Sequence, residues 1–311
     1  MNPDTTIQWL LDSDPAIRWQ VQRDLLGADE SVWAQERQRL PSEGWCARLL
    51  GLQDADGLWN RSLYNGKWLS TTYTLYLLKI LGLPPDNRQA AAGCERLLES
   101  GLYQDREIRF SRNQAVQDLG VTGLVLSLCC CHGLDRRRTA GSKTLRAIVE
   151  YLADQQNPDG SWLPYRSEGA ADYKFETTLL ILEGMLQYRK RFPEHLIYID
   201  LETRGQEFLL KHHLYLREGK PIKAQWTSFS FPAYWFYDVL TALDYFRSCS
   251  KIKDSRLLAG INLVQEKRST EGAWKSGRKH SGKTWFDMEK PRQPSRWNTL
   301  RALRVLGWWN G

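Results

Sequence analysis

The chain has 311 residues, 42% hydrophobic and 25% charged, which excludes intrinsic disorder and leaves enough material for a substantial core. Its formal net charge of +7 invites nucleic acid or an anionic ligand, but the cations are spread along the chain and no nucleic-acid reading module is present, so nucleic-acid binding is not expected. With no amino-terminal signal segment, no apolar run of the roughly 18–20 residues that span a bilayer, and six cysteines without disulfide-like spacing, a cytoplasmic protein with reduced thiols is expected.

At the amino terminus, segments 5–11 and 15–26 read as a short helical hairpin, with Asp14 capping and Pro15 at the first helical position. A third helix is expected over 31–40. Residues 1–42 therefore read as a helical extension, either a cap or a sixth, irregular hairpin. From residue 43 to 311 the chain repeats. Gln53, Gly57 and Trp59, then Gln155, Gly160 and Trp162, then Gln265, Gly272 and Trp274 share one pattern of Gln, polar residues, Gly, any residue and Trp. Their tryptophans lie 103 and 112 positions apart, which makes two units of roughly 50–56 residues each, the length of two helices and two connections. Degraded loops at 101–110 and 219–226 supply the intervening units.

Each unit opens with an amphipathic segment, at 43–52, 88–100, 143–155, 201–213 and 255–266. A more apolar segment follows the loop, at 70–82, 115–132, 175–188, 233–247 and 296–308, as buried helices require. Strand alternation is weak. Gly permits the loop turn, Trp fills the wedge between helices, and the Gln amide satisfies backbone groups. The 14 tryptophans are accordingly read mainly as structural. Arg136–138 and Arg189–191 each follow an apolar stretch, where cations complement a helix C-terminus.

The loop pattern resembles the QW repeat of squalene–hopene and oxidosqualene cyclases, in which an aromatic residue or Leu precedes the Gln by four positions; Tyr151 before Gln155 and Leu49 before Gln53 fit it. Protein prenyltransferase β-subunits share the same architecture, and the chain is identified with this prenyltransferase and squalene oxidase repeat family. The resemblance implies an all-α fold, an α/α toroid of five or six helical hairpins with inner and outer helix rings, in a short single-toroid form. The Asp-x-Asp-Asp acid motif of squalene–hopene cyclases is missing; Glu176-Thr177-Thr178 stands where oxidosqualene cyclases carry an acid two residues before Thr.

Inner helices would present their first turns to a central cavity. Three acids stand there as candidate proton donors: Asp118, Glu176 and Asp238. Trp68, Trp235, Tyr237 and Trp297 are candidate pocket walls, and Lys174 and Arg296 candidate partners for an acid or an anionic head group. A desolvated carboxylic acid donates a proton and aromatic faces stabilise the resulting cation. Asp238, after a dense aromatic run, needs a cation, with Arg296 or Lys174 the expected companion. Each acid also suits plain helix capping.

The leading function is binding, with cyclisation or transfer, of an isoprenoid-like hydrophobic molecule. The alternatives are a carbohydrate-active toroid with paired carboxylates and a non-catalytic interaction scaffold. No cofactor and no metal is expected: Cys129-Cys130-Cys131-His132 points in different directions around a helix and reads as small-residue packing. The basic loop 277–287 contains Gly282-Lys283-Thr284 but lacks the spacing of a phosphate loop, and reads as a cover for the cavity mouth or a solvent loop.

Overall fold

The three Gly/Trp loops close in one way because glycine tolerates the left-handed turn they share. In the computed structural model, which describes residues 3–110, 117–133, 139–164, 173–195, 198–249 and 253–311, Gly57, Gly160 and Gly272 have φ of +83°, +86° and +84°. Two residues on, the backbone N–H of Trp59, Trp162 and Trp274 donates to the hydroxyl of Thr71, Thr178 and Thr299 at 2.9, 3.1 and 3.0 Å. Ile108 makes the same bond to Thr122 at 3.2 Å in the degraded second loop. The indole N–H groups of Trp162 and Trp274 reach back to the carbonyls of Leu152 and Val264, both at 2.7 Å.

The polar tie stands six residues before each tryptophan. Gln53 Nε2 donates to the carbonyls of Gly57 and Gln89 at 2.9 and 2.8 Å. Gln156 donates to Gly160 and Leu201 at 2.9 and 3.1 Å, and Arg268 to Gly272 at 3.3 Å. The structural equivalents of Gln53 are therefore Gln156 and Arg268, where the sequence pattern pointed to Gln155 and Gln265. Any long donor at that distance from the tryptophan serves.

Among the described residues the chain forms thirteen α-helices: α1 (Pro3–Leu11), α2 (Pro15–Asp24), α3 (Glu30–Gln38), α4 (Gly44–Leu50), α5 (Thr71–Leu81), α6 (Arg88–Gly101), α7 (Leu119–His132), α8 (Thr139–Asp154), α9 (Lys174–Arg191), α10 (Ile199–Lys211), α11 (Val239–Cys249), α12 (Leu258–Glu266) and α13 (Arg296–Asn310). Three two-residue antiparallel ladders join β1 (Leu102–Tyr103) to β2 (Glu107–Ile108), β3 (Leu216–Arg217) to β4 (Lys220–Pro221), and β5 (Trp274–Lys275) to β6 (Pro294–Ser295). The all-α class and the alternation of helices follow the sequence reading. Helix α11 begins six residues later than expected, because Tyr234 takes φ +51° and Asp238 caps the helix. No described helix is long and apolar enough to cross a membrane. The Arg136–138 run lies outside the described residues.

The chain divides into two compact units, one of residues 52–79 and 85–209, the other of 1–51, 80–84 and 210–311. In the first, α7 is buried at every position except Cys131, as an apolar surface all round demands. Its backbone meets α9 directly: a Cβ on Gly123 would lie 2.8 Å from Ile181 Cα, and one on Gly184 2.6 Å from the Gly123 carbonyl. Loop tryptophans impose the same demand, since a Cβ on Gly93 or Gly205 would lie 2.8 Å from the ring of Trp59 or Trp162. Cys129 and Cys130 are buried, and His132 Nε2 bonds the Leu75 carbonyl at 2.9 Å, with burial lowering its pKa to about 4. Arg191 donates to the Cys130 carbonyl at 3.3 Å, so it does complement a helix C-terminus.

The second unit is organised by a buried charge network that ties α2 and α11 to α13. Arg304 donates to Gln20 at 2.7 Å, lies 3.3 Å from Asp24, and pairs with Asp244, which Arg247 also contacts at 2.9 Å and Arg301 at 3.5 Å. Burial pushes the Asp244 pKa up, but the three guanidiniums outweigh it and hold the carboxyl well below the usual range. Arg304→Met leaves two buried carboxylates short of a cation and is expected to cost about 3–5 kcal/mol in urea unfolding at pH 7. Because the folded pKa of Asp244 is depressed, its contribution is complete above about pH 4 and fades as pH falls further. The gap between variant and wild type should therefore narrow in acid.

Candidate functional site

The residues expected to carry chemistry fall on both units, and each group is built within its own. In the unit of residues 52–79 and 85–209, Asp118 is the N-cap of α7, its Oδ1 accepting the Val121 N–H at 3.0 Å. The cap is pinned by the second loop: Thr122 Oγ1 donates to the Asp118 carbonyl at 3.0 Å while accepting the Ile108 N–H. Burial raises the Asp118 pKa against the opposing N–H groups of Val121 and Gly120. This is the desolvated acid that proton donation calls for.

Its charge acts on two tyrosines, Tyr64 and Tyr73, and two further rings pack on these. Trp68, fully buried at φ +75°, meets Tyr73 edge-on at 4.8 Å. Tyr73 is hydrogen-bonded to Tyr64, whose ring lies 5.4 Å away, and Tyr64 stacks on Phe110 at 5.6 Å. Burial first, and the Asp118 charge in addition, push both tyrosine hydroxyls above their ordinary pKa. Gly120 lies between Asp118 and α9: a Cβ there would lie 3.3 Å from Asp118 Oδ1 and 3.6 Å from Thr177 Oγ1. Glu176, the neighbour of Thr177, is buried in the first turn of α9. Asp118 and the first turn bearing Glu176 thus adjoin across Gly120, while Trp68 packs on Tyr73. Lys174 instead pairs with Asp159 of the Gly/Trp loop at 2.7 Å.

In the other unit, Asp238 caps α11 through the N–H and hydroxyl of Thr241 at 2.7 and 3.0 Å. Burial raises its pKa, opposed by Arg301, which bonds the same Thr241 hydroxyl at 2.9 Å. Arg301 is the companion cation, in place of the expected Arg296 or Lys174. Arg296 lies over the Trp9 ring at 4.8 Å and donates to the Trp9 carbonyl. Tyr237 donates its hydroxyl to the Leu214 carbonyl at 2.8 Å. Trp235 stacks on Phe236 at 4.1 Å, and Trp297 on Phe231 at 4.8 Å. Sequence reasoning missed Glu289, whose carboxylate accepts the Trp297 N–H at 3.0 Å and the Ser295 hydroxyl, and whose pKa burial raises. It also missed Tyr64, Tyr73 and Phe110. Tyr73 stands in the first turn of α5, the position already singled out in every repeat, and was recoverable.

A shallow dent between α8, α9 and α10, lined by Met185, Tyr188, His195 and Glu202 among others, includes none of the expected site residues. Among the described residues no three His, Cys, Asp or Glu side chains gather as metal ligands do.

Because the folded pKa of Asp118 is raised, its ionised form opposes folding above that pKa, and the cost disappears below the unfolded value of about 3.9. Asp118→Asn retains a capping oxygen and is expected to be neutral or stabilising in urea unfolding at pH 7. Asp118→Ala, which removes the cap, should lose about 1 kcal/mol.

No family model matches the chain, and no curated protein matches it. Among solved structures, the type II terpene cyclase MstE from Scytonema in complex with merosterolic acid A, its product, is 15% identical with a TM-score of 0.50, covering 95% of this chain and 87% of that one. The apo form of the same cyclase gives 14% identity and a TM-score of 0.48 over 94% and 88%. A protein from Actinoplanes gives 16% and 0.47 over 96% and 91%. At this identity the likeness is one of fold: the chain is all-α and terpene-cyclase-like.

Proposed function

We propose that this chain is a terpenoid-cyclase-like protein that binds an isoprenoid-like hydrophobic molecule and cyclises or transfers it. In this reading the helical hairpins form a single α/α toroid, with residues 1–42 as its cap, and the molecule lies against the rings beside Asp118. The observation that carries the proposal is a buried carboxyl with a raised pKa whose charge acts on Tyr64 and Tyr73, with Trp68 and Phe110 packed on those two rings. An acid whose burial favours its protonated form transfers its proton to an alkene carbon, leaving a carboxylate and a carbocation. The aromatic faces stabilise that cation until a second double bond closes on it and a proton is lost.

Of the expected residues, Asp118 and Trp68 carry the proposal and Glu176 is the second acid. Asp238, Tyr237, Trp235, Trp297, Arg296 and Lys174 all have structural partners, which favours a positioning role for each. An anionic head group on the substrate remains part of the proposal, without a residue assigned to it.

Incubation with linear polyprenes, their epoxides and their diphosphates, followed by mass spectrometry of products, tests it. Asp118→Asn is expected to lose turnover by about 100-fold or more while keeping the ligand-induced thermal shift, and Trp68→Ala to weaken that shift. Full turnover in Asp118→Asn, or stabilisation by oligosaccharides and by no isoprenoid, would overturn the reading.

A further inference from the structure

The runs of consecutive cations are not where the net charge lies. Residues 274–295 contain six Lys or Arg and two acids, a net +4 in a chain whose total is +7. All six cations are exposed. The two acids are already engaged: Asp287 pairs with Lys279, and Glu289 turns its oxygens to Ser295 and the Trp297 N–H. Lys275, Arg278, Lys283, Lys290 and Arg292 make no ion pair among the described residues.

This segment is a firmly docked excursion between α12 and α13. Its base is the β5–β6 ladder, extended by the Ser276 N–H to the Gln293 carbonyl at 2.9 Å and the Arg292 N–H to the Ser276 carbonyl at 3.0 Å. Gly277 N–H donates to the Phe229 carbonyl at 2.8 Å, Ser230 Oγ to the Arg278 carbonyl at 2.9 Å, and His280 stacks on Phe236 at 3.9 Å. Fixing a hairpin so firmly while pointing its cations at water presents a preorganised positive surface. Half-buried Trp285 and Phe286 stand among the charges, with Arg48 of α4 lying 3.7 Å over the Phe286 ring.

We propose that this basic hairpin docks the protein on a membrane containing anionic phospholipid. The cations are spread along the segment from Lys275 to Arg292 and all are exposed, so the surface matches a plane of many phosphates better than one buried ion. Aromatic rings between lysines are the side chains that settle at the level of lipid head groups. With no helix able to cross a bilayer among the described residues, attachment through this surface would be peripheral and salt-sensitive. The inference stands on the charge and packing of this segment and is independent of what the rings near Asp118 bind.

Co-sedimentation with vesicles tests it. Binding is expected to phosphatidylglycerol–phosphatidylcholine vesicles and not to pure phosphatidylcholine, and to vanish when salt rises from about 0.05 to 0.5 M. Each neutralised cation should cost roughly fivefold, so Lys283→Gln with Lys290→Gln should weaken binding roughly 25-fold, with the thermal midpoint unchanged. Lys211→Gln with Lys220→Gln, away from the hairpin, should bind as wild type. Equal binding to both vesicle types, or no effect of the Lys283/Lys290 double change, would overturn the proposal. So would displacement from vesicles by millimolar inorganic diphosphate at constant ionic strength, which would mark a single-anion site. Binding to duplex DNA with none to anionic vesicles would overturn it in favour of nucleic acid.

Discussion

The hydrogen bond from a loop backbone N–H to a threonine hydroxyl at the start of the following helix fixes where every candidate acid of the unit of residues 52–79 and 85–209 can stand. It recurs at Thr71, Thr122, Thr178 and Thr299. A threonine can do this because its hydroxyl accepts one bond while donating another, as Thr122 does to the carbonyl of Asp118 and Thr71 to that of Ser62 in the loop. The acid is thereby held at a helix N-terminus whose N–H groups favour its charge, in surroundings whose burial disfavours it. At Asp118 burial wins. Glu176 stands two residues before Thr178 under the same constraint, and Gly123 and Gly184 let α7 and α9, which carry these acids, come within backbone contact.

The two units use buried carboxylates in opposite senses. Asp244 is surrounded by Arg247, Arg301 and Arg304 and is held strongly ionised, which makes it a fastener between helices. Asp118 has no cation among the causes of its shift, and burial outweighs its backbone N–H bonds, so its neutral form is favoured. Divergent environments of this kind separate a structural anion from a candidate acid more reliably than residue type. Asp238 falls between them: buried with a raised pKa, yet facing Arg301 and bonded twice by Thr241.

Helices and loops were legible because their causes are local. Gly57, Gly160 and Gly272 mark turns that only glycine makes cheaply, and the apolar runs read at 115–132 and 175–188 suit buried helices. The equivalence of Gln53, Gln156 and Arg268 was not legible, since distance from the tryptophan and not residue identity defines it. Asp118, Glu176 and Trp68 were singled out by asking what stands just before or within the first turn of each second, more apolar helix. Tyr64 and Phe110 were missed because they lie in loops that only the folded chain brings together. The same holds for Arg304 and Asp24, 280 positions apart. No periodicity reveals a charge network assembled from three distant helices, and Arg301 in place of Arg296 as the partner of Asp238 is the clearest case.

The central claim is that the rings around Asp118 form a binding site for an isoprenoid-like molecule. A crystal structure of the protein soaked with an unreactive polyprene analogue tests it most directly. The account predicts hydrocarbon density against Trp68 and Tyr73, with a carbon within about 4 Å of the Asp118 carboxyl, the range of van der Waals contact. Density in another part of the molecule, with the rings around Asp118 packed only on one another, would contradict it.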